Sequence, residues 1–468
     1  MATSEIVFKS GVALAALIRD RKLSPVEVVR AFLDRIDAVN PHVNAFITVT
    51  ENRALAEARM AEREIKAGRY LGPLHGLPYA AKDNVATRGV RTTNGAKVTA
   101  DWIPDYESTI TDRLNRAGAI MIGKLNLPEF TMGSGRRGLF GPTRNPWDLA
   151  YSPSGSSSGS GAAVASQMTP LAIGTDTGGS IRSPANSCGI VGLKPTYGRV
   201  SRFGITTLSW TCDHAGPMTK TVADAAIMLQ AMAGLDSLDN STSAEAVPDY
   251  REGLAGSLRG LRVGVPSNYF FDGVQAEALA AVRQALSVLR ELGAVLVEVE
   301  VRHAELAEPA LWIIQMSEGA AFHEERLKQH AEQLEPNVRE HLEVATFYSA
   351  VDYIKSLRLR TVLMEEMRRV FKLCDVMAVP AGNPARRLDA EIVESSSAPA
   401  SFGDSWSIGN MTGMPGIVLP CGFTAGPPAL PLGLQLYARA FDEATLFRVG
   451  HAYESVTDWH KRRPPLPI

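Results

Sequence analysis

Apolar positions at three- and four-residue spacing dominate the first seventy residues and predict helices. Ser24 and Pro25 give one of these helices its start, because Ser is a common N-cap and Pro fits the first turn. The apolar stripe that follows covers residues 26–39 and predicts one buried helix face. A second, alanine-rich helix is predicted over residues 51–67, and Gly68 ends it.

After residue 70 the pattern changes to short apolar runs that alternate with amphipathic helices. Residues 261–266 (LRVGVP) and 294–301 (AVLVEVEV) predict strands, and the helix predicted between them, at 277–292, ends at Gly293. This alternation predicts an α/β fold with parallel character. Further strands are predicted at 119–123, 170–174, 189–193, 375–380, 410–419 and 432–437, with mostly helix between 304 and 374.

No linker-like stretch divides the chain, so a single domain is predicted over residues 1–468. Within it we expect an N-terminal helical layer at 1–70, a core at 71–220 and the second half of the α/β core at 221–468. A helical insertion is expected at 304–374 inside this second half. Residues 388–406 include a serine-rich stretch without periodicity, which predicts a flap over a site.

Composition and charge exclude several classes of protein. Hydrophobic residues make up 45% of the chain, which allows a large core, and a formal net charge of −2 argues against a nucleic-acid-binding surface. The four cysteines show no CxxC spacing, so we expect no disulfide framework, no metal site and a cytoplasmic location. No apolar run reaches the ~18 residues that would cross a bilayer, so no membrane contact is expected.

Two serine- and glycine-rich turns carry the candidate chemistry, SPSGSSSGSG at 152–161 and TDTGGS at 175–180. Glycine at this density indicates close approach of the backbone or positive φ angles. No histidine pairs recognisably with these serines, so a Ser-His-Asp triad is a weak interpretation. A neutral lysine can activate a serine instead, and Lys82 ends the apolar run PYAAK. Holding a lysine neutral at pH 7 costs roughly 4.6 kcal/mol, which burial can supply.

Several motifs occur in order along nearly the whole chain: GLPYAAKDN at 76–84, the serine-rich turn, GTDTGGSIRSP at 174–184, GIVGLKPTYGRVS at 189–201 and NMTGMPGIVLPCGF at 410–423. In this combination the chain resembles the amidase signature family, whose members hydrolyse amides with a Ser-Ser-Lys triad. The resemblance implies the fold of that family, a central mixed and twisted β-sheet covered by helices on both faces. It also implies that no cofactor is needed.

Matched motif by motif, the resemblance assigns the nucleophile to Ser180, the bridging serine to Ser156 and the general base to Lys82. It also implies a cis peptide bond between Gly155 and Ser156. Ser157 is a rival to Ser156, although the 24-residue interval to Ser180 favours Ser156. The remaining assignments are the N–H groups of Thr177, Gly178, Gly179 and Ser180 as the oxyanion hole, Phe130, Met132 and Gly133 at the substrate, and Asp176 and Arg182 as structural supports.

The main prediction is a stand-alone amidase that cleaves the C–N bond of a small organic amide through an acyl-enzyme, with esters and carbamates left open. The alternative is the catalytic A subunit of a tRNA-dependent glutamine amidotransferase. Such subunits carry an aspartate where this chain has Gly403, with Asp404 one position away, which counts against the alternative. The retained Lys82, Ser156 and Ser180 argue against a third hypothesis, an inactive scaffold protein.

The partner expected under the main prediction is a small-molecule amide, with no nucleic acid and no membrane, and a homodimer is left open. Phe130 and Met132 fit a plain core as well as they fit a substrate pocket. Arg136 and Arg137 could meet an anionic substrate, although exposure to solvent explains them equally.

Overall fold

The structure, a computed structural model, describes residues 3–132, 138–390 and 405–466. A single mixed sheet of eleven strands runs through the described residues. The strands are β1 (Phe46–Val49), β2 (Pro78–Lys82), β3 (Ile120–Leu125), β4 (Leu171–Asp176), β5 (Val191–Lys194), β6 (His214–Thr219), β7 (Arg262–Pro266), β8 (Val295–Val299), β9 (Val376–Pro380), β10 (Gly416–Phe423) and β11 (Pro431–Ala438).

The strand order across the sheet is β1-β3-β2-β4-β6-β5-β10-β11-β9-β7-β8. Neighbours are parallel within β3-β2-β4 and within β9-β7-β8. The other neighbouring pairs are antiparallel. The prediction of a mixed α/β sheet is therefore confirmed, with parallel strands in two separate groups.

Fourteen α-helices accompany the sheet in the described residues. They are α1 (Thr3–Val7), α2 (Gly11–Arg19), α3 (Pro25–Val43), α4 (Glu51–Lys66), α5 (Thr109–Arg116), α6 (Ser158–Ala165), α7 (Arg182–Cys188), α8 (Val222–Met232), α9 (Ala276–Glu291), α10 (Ala307–His330), α11 (Pro336–Ala345), α12 (Ala350–Leu373), α13 (Ser407–Thr412) and α14 (Glu443–Ser455). The predicted start of α3 is confirmed by a full capping box between Ser24 and Glu27. None of the helices among the described residues is both long and apolar enough to span a membrane.

Helices cover the sheet on both faces, as β9 shows directly. Val376 and Ala378 belong to the main apolar core, which also contains buried residues of α9 and α14. Met377 and Val379, which point to the opposite face, belong to a second core with buried residues of α10 and α12. Both faces of this strand are apolar because both are buried, which explains the continuous run VMAVP.

The strand predicted at 410–419 is wrong in its first half. Residues 407–412 form helix α13, Gly413 ends it with a left-handed φ of 71°, and β10 begins only at Gly416. The helix is held by a tertiary contact, because the Asn410 side chain donates to the Asp176 carboxylate at 3.0 Å. Strand β2, which ends at Lys82, was not predicted as a strand at all. Most of the predicted flap lies outside the described residues.

Candidate active site

Lys82 lies at the carboxyl end of β2, in the interior of the sheet. Strand β2 pairs in parallel with β4, so the ends of both strands meet at the same edge, and Lys82 comes beside Thr175 of β4. All five residues of β2 are buried, and the Lys82 side chain has no exposed surface. The end of β2 thus places a lysine amine where the protein shields it from solvent, at the edge where ligands of such sheets bind.

Three hydroxyl groups surround the Lys82 amine. Nζ lies 2.7 Å from Ser156 Oγ, 2.8 Å from Thr175 Oγ1 and 3.1 Å from Ser157 Oγ. Burial lowers the pKa of Lys82 to about 7, against an opposing pull from the carboxylates of Asp176 and Asp213. A large fraction of the molecules therefore hold a neutral amine, with a free lone pair, at neutral pH.

Ser156 and Ser157 differ in what their hydroxyl protons can do. Ser157 Oγ donates to the Thr175 carbonyl at 3.0 Å and accepts from the Thr175 N–H at 3.2 Å. Among the described residues, Ser156 Oγ has a hydrogen bond with Lys82 Nζ and with no other group. The Ser157 proton is thus committed to the backbone, whereas Ser156 can pass its proton to Lys82. The peptide bond between Gly155 and Ser156 is cis, as the resemblance implied.

Ser180 lies beside this pair, just before helix α7. The Ser157 N–H donates to the Ser180 carbonyl at 3.2 Å, which fixes the two turns against each other. The Ser180 side chain is half-buried, and its hydroxyl makes no hydrogen bond with any described residue, Ser156 included. Catalytic hydrogen bonds in unliganded enzymes are often long and tighten when substrate binds. The Ser180 hydroxyl is thus available to turn toward Ser156 or toward a substrate.

Three of the four predicted oxyanion donors are available. The Gly179 N–H donates to Asp176 Oδ1 at 2.8 Å, so it holds the turn and is not free for a substrate. The N–H groups of Thr177, Gly178 and Ser180 form no hydrogen bond with the rest of the described chain. Gly179 must be glycine, because its φ is +115° and a Cβ there would lie 2.9 Å from the side chain of Trp406.

A fully buried ion pair between Asp176 and Arg182 supports the Ser180 turn. Arg182 Nε lies 3.0 Å from Asp176 Oδ2, and its Nη2 lies 3.1 Å from Oδ1. Burial raises the pKa of the Asp176 carboxyl, but the charge and hydrogen bonds of Arg182, with help from Lys194 and Asn410, hold the pKa well below its usual range. Arg182 also donates to the side chains of Asn410, Gln435 and Tyr437. Asp176 also accepts from the N–H groups of Gly179 and Ile181 at 2.8 and 3.1 Å, which connects the ion pair to the turn.

Asp213, which no pattern in the sequence indicated, anchors the other side of the turn. Its Oδ1 accepts from the Thr177 hydroxyl at 2.6 Å, and its Oδ2 accepts from the N–H groups of Leu208 and Ser209 at 2.9 and 3.0 Å. Burial raises the pKa of Asp213 to about 6, although these hydrogen bonds lower it. Asp213 thus ties the loop at residues 208–209 to Thr177, at the start of the Ser180 turn.

The predicted substrate residues are placed in different surroundings. Phe130 is buried, its ring lies 4.4 Å from that of His323, and it belongs to a small apolar core with Leu208. Met132 is half-buried and faces Gly319 of α10. Gly133, Arg136 and Arg137 lie outside the described residues.

Helix α10 packs beside the Ser180 turn at Gly178, and this contact was not predicted from the sequence. A Cβ placed on Gly178 would lie 3.4 Å from Gln315 Oε1 and 3.5 Å from Leu311 Cδ2. No spacing in the sequence links α10 to residue 178, because the contact joins segments that lie more than a hundred residues apart. Thr175 and Asn84 were also missed, although both stand inside motifs that the resemblance uses.

The comparisons with known proteins agree on the family. The Amidase family profile matches residues 27–447. The A subunit of the glutamyl-tRNA(Gln) amidotransferase of Moorella thermoacetica is 40% identical over 99% of this chain and 100% of that protein. A bacterial aryl acylamidase of the amidase signature family is 26% identical, with a TM-score of 0.88 over 98% of this chain and 99% of that chain.

A further solved structure comes from work on a vestigial protein complex that reveals the evolutionary origins of an s-triazine catabolic enzyme. It is 32% identical, with a TM-score of 0.89 over 96% of this chain and 98% of that chain.

These relatives correct the main functional prediction. Proteins that match the chain almost end to end at about 40% identity are amidotransferase subunits. They support the alternative better than a stand-alone amidase of a small organic amide. The predicted partners, a small-molecule amide and no nucleic acid, are wrong on the same ground, because those subunits are named for a charged tRNA.

Two features of the sequence misled the prediction. Asp404 is displaced by one position from the expected aspartate at Gly403, and both residues lie outside the described part of the chain. A net charge of −2 describes the whole chain and does not exclude a nucleic acid that a partner protein holds. The family itself is not in doubt: the chain belongs to the amidase signature family, whose enzymes act on carbon–nitrogen bonds.

Proposed function

We propose that the chain is the catalytic A subunit of a tRNA-dependent amidotransferase, which releases ammonia from the side-chain amide of glutamine. The observation that carries this proposal is the match to the Moorella thermoacetica amidotransferase protein over 99% of this chain and 100% of the relative. The acceptor of the ammonia would be glutamate esterified to tRNA, held by other subunits. The chain's own residues supply the amide hydrolysis.

In the proposed mechanism, neutral Lys82 takes the proton of Ser156 as Ser156 takes that of Ser180. Ser180 Oγ attacks the amide carbonyl, and the oxyanion accepts hydrogen bonds from the free N–H groups of Thr177, Gly178 and Ser180. The proton returns along the same path to the leaving nitrogen, so that ammonia departs and a γ-glutamyl ester remains on Ser180. Water then attacks the ester, releases glutamate and restores the Ser180 hydroxyl. Each oxyanion donor is typically worth about 3 kcal/mol.

Ser156 and Ser157 give a matched pair of variants for this mechanism. Ser156→Ala removes the bridge and is expected to lower kcat by about 10³-fold or more, as loss of a proton-transfer group does. Ser157→Ala removes a hydroxyl that bonds the Thr175 backbone. We expect it to cost stability, about 1 kcal/mol, and to lower kcat far less. Steady-state kinetics and urea unfolding of both variants check this, and equal kcat losses would contradict the choice of Ser156.

Glutamine hydrolysis tests the proposed function. The purified chain, alone and assembled with the other amidotransferase subunits, is offered glutamine and a panel of aliphatic amides and anilides, with and without glutamyl-tRNA. We expect ammonia release from glutamine that rises when partner subunits and charged tRNA are present. Fast hydrolysis of simple amides by the chain alone, with no response to glutamine or to the partners, would refute the proposal. Ser180→Ala is the control for contaminating glutaminase.

A further inference from the structure

Asn84 is a buried amide that contacts the surroundings of Lys82 through Thr175. Its Nδ2 lies 3.1 Å from Thr175 Oγ1, which in turn lies 2.8 Å from Lys82 Nζ. Asn84 is 2% exposed, and its Oδ1 is buried without a hydrogen-bond partner among the described residues. Two hydrogen bonds with the Ser157 hydroxyl fix the backbone of Thr175. The direction in which the Thr175 hydroxyl points its own hydrogen is therefore the open question in this cluster.

The protons around a neutral Lys82 can be counted. A neutral amine has two N–H donors and one lone pair, and it faces three hydroxyl groups. Ser157 must accept from the amine, because its own proton goes to the Thr175 carbonyl. Of the two hydroxyls that remain, one donates into the lone pair and the other accepts. A working base requires Ser156 to donate, and therefore Thr175 to accept.

Thr175 can accept from Lys82 only if its own proton has another acceptor. Among the described residues, the Asn84 amide is the one group besides Lys82 that forms a hydrogen bond with Thr175 Oγ1. A half-turn of that amide about χ2 exchanges Nδ2 and Oδ1 and brings the oxygen to face the hydroxyl. The same half-turn gives Oδ1 a donor and moves the amide N–H groups to the position where Oδ1 has no partner among the described residues.

We propose that Asn84 is a positioning residue whose amide oxygen accepts the Thr175 hydroxyl proton, so that the lone pair of Lys82 stays open to Ser156. The chain of donors then runs from Ser156 to Lys82, from Lys82 to Thr175, and from Thr175 to Asn84. This inference rests on the proposed proton relay through Lys82 and Ser156, but not on the identity of the amide substrate.

The same arrangement serves both protonation states of the base. When Lys82 becomes an ammonium it donates three hydrogen bonds, to Ser156, Ser157 and Thr175, and Thr175 already accepts. No hydroxyl around the amine has to turn during the reaction, which is the advantage of a preorganised polar site. If Thr175 donated to the amine instead, it would occupy the lone pair and would have to rotate at each proton transfer.

Variants of Asn84 shift the pH profile in opposite directions. In Asn84→Ala the Thr175 proton turns to the Lys82 lone pair, which favours the neutral amine. The pH at which the rate of Ser180 modification is half its maximum therefore falls, and the maximal rate falls about tenfold or more. In Asn84→Asp an acceptor is kept but a negative charge is added, so the midpoint moves above pH 7. The charged groups that face Lys82 are Asp176 and Asp213, and neither variant alters them.

The experiment follows the modification of Ser180 by a fluorophosphonate as a function of pH, with mass spectrometry to identify the site. This readout needs no knowledge of the natural substrate. It is applied to the wild type, Asn84→Ala, Asn84→Asp, Thr175→Val and the double variant Asn84→Ala/Thr175→Val. Thermal unfolding shows which proteins are folded, and Asn84→Asp, which has nearly the same shape as the wild type, gives a second result where the alanine variant fails to fold.

The two single variants of Asn84 should shift the midpoint in opposite directions, and the double variant should be no slower than Thr175→Val alone. Midpoints and plateau rates that coincide with the wild type would overturn the role of Asn84. So would a double variant in which the two losses multiply, because Asn84 would then act without Thr175. A wild type that is not modified at Ser180 would overturn the relay itself. Normal Ser180 modification without glutamine hydrolysis would instead reject the proposed substrate. The results with the Asn84 and Thr175 variants would then still decide the role of Asn84.

Discussion

Lys82→Met is expected to lower kcat/KM for amide hydrolysis by about 10⁴-fold or more, while the protein stays folded. The size follows from the loss of the base in a serine relay, where removing one member abolishes most of the rate. Methionine fills the space of the lysine stem but brings no lone pair, so Ser156 has no acceptor for its proton. The measurement is ammonia release at pH 8, with Ser180→Ala defining the background rate.

Lys124 provides a matched control, because it is a second lysine with no exposed surface in the neighbouring strand β3. Its Nζ lies 3.1 Å from Asp83 Oδ1, so its charge is used in an ion pair. Lys124→Met leaves Asp83 buried and unpaired, which is expected to cost about 3–5 kcal/mol of folding free energy. We expect Lys82→Met to lose activity and keep stability, and Lys124→Met to lose stability. Activity of Lys82→Met within tenfold of the wild type would contradict its role as the base.

Arg182→Met is expected to lower the free energy of unfolding by about 3–5 kcal/mol. The Asp176 carboxylate has no exposed surface, and Arg182 is its partner at 3.0 and 3.1 Å. Removing the guanidinium leaves a buried charge without compensation, and it also removes a donor from Asn410, Gln435 and Tyr437. Urea unfolding measures the loss as a lower midpoint at an unchanged slope.

Two further variants separate charge from geometry at this ion pair. Arg182→Lys keeps the charge but loses the two-pronged contact with Asp176, so its loss of stability should be intermediate. The double variant Asp176→Asn/Arg182→Met removes both charges and should recover part of the stability that Arg182→Met loses. An Arg182→Met protein with wild-type stability would show that the pair does not hold the Ser180 turn.

The repeating patterns in the sequence were enough to predict the class of fold and most of its helices. The capping residues at Ser24 and Glu27 and the run VMAVP of β9 both signal their structure locally. Residues 407–412 show why a local pattern can fail. Their helix depends on Asn410 meeting Asp176, more than two hundred positions earlier, and on a left-handed glycine at 413.

The site divides in the same way. The motifs around Lys82, Ser156 and Ser180 predicted a proton relay. In the structure, Lys82 Nζ lies 2.7 Å from Ser156 Oγ. The 24-residue interval to Ser180 already favoured Ser156 over Ser157. The hydrogen bond from Ser157 to the Thr175 carbonyl adds a physical reason for the same choice, because it uses the Ser157 proton. Asp213 could not be predicted, because its link to Thr177 crosses 36 positions without a repeating pattern.

Burial of the base connects the sequence pattern to the chemistry. A lysine has an ordinary pKa of about 10.4, and the sequence places Lys82 behind a run of small apolar residues. In the structure the Lys82 side chain has no exposed surface, and burial lowers the pKa of Lys82 to about 7. Below this pH the amine is charged and cannot accept the Ser156 proton, and above it the base is ready. In the proposed relay the base therefore works in the neutral range because burial shields Lys82 from solvent.

The pH dependence of Ser180 acylation tests the role of a neutral Lys82 most directly. In the wild type, the single-turnover rate should rise with a slope of one and reach half its plateau near pH 7, and the rise should vanish in Lys82→Met. A wild-type rate that keeps rising to about pH 10, or one that has the same pH profile in Lys82→Met, would show that a neutral Lys82 is not the base.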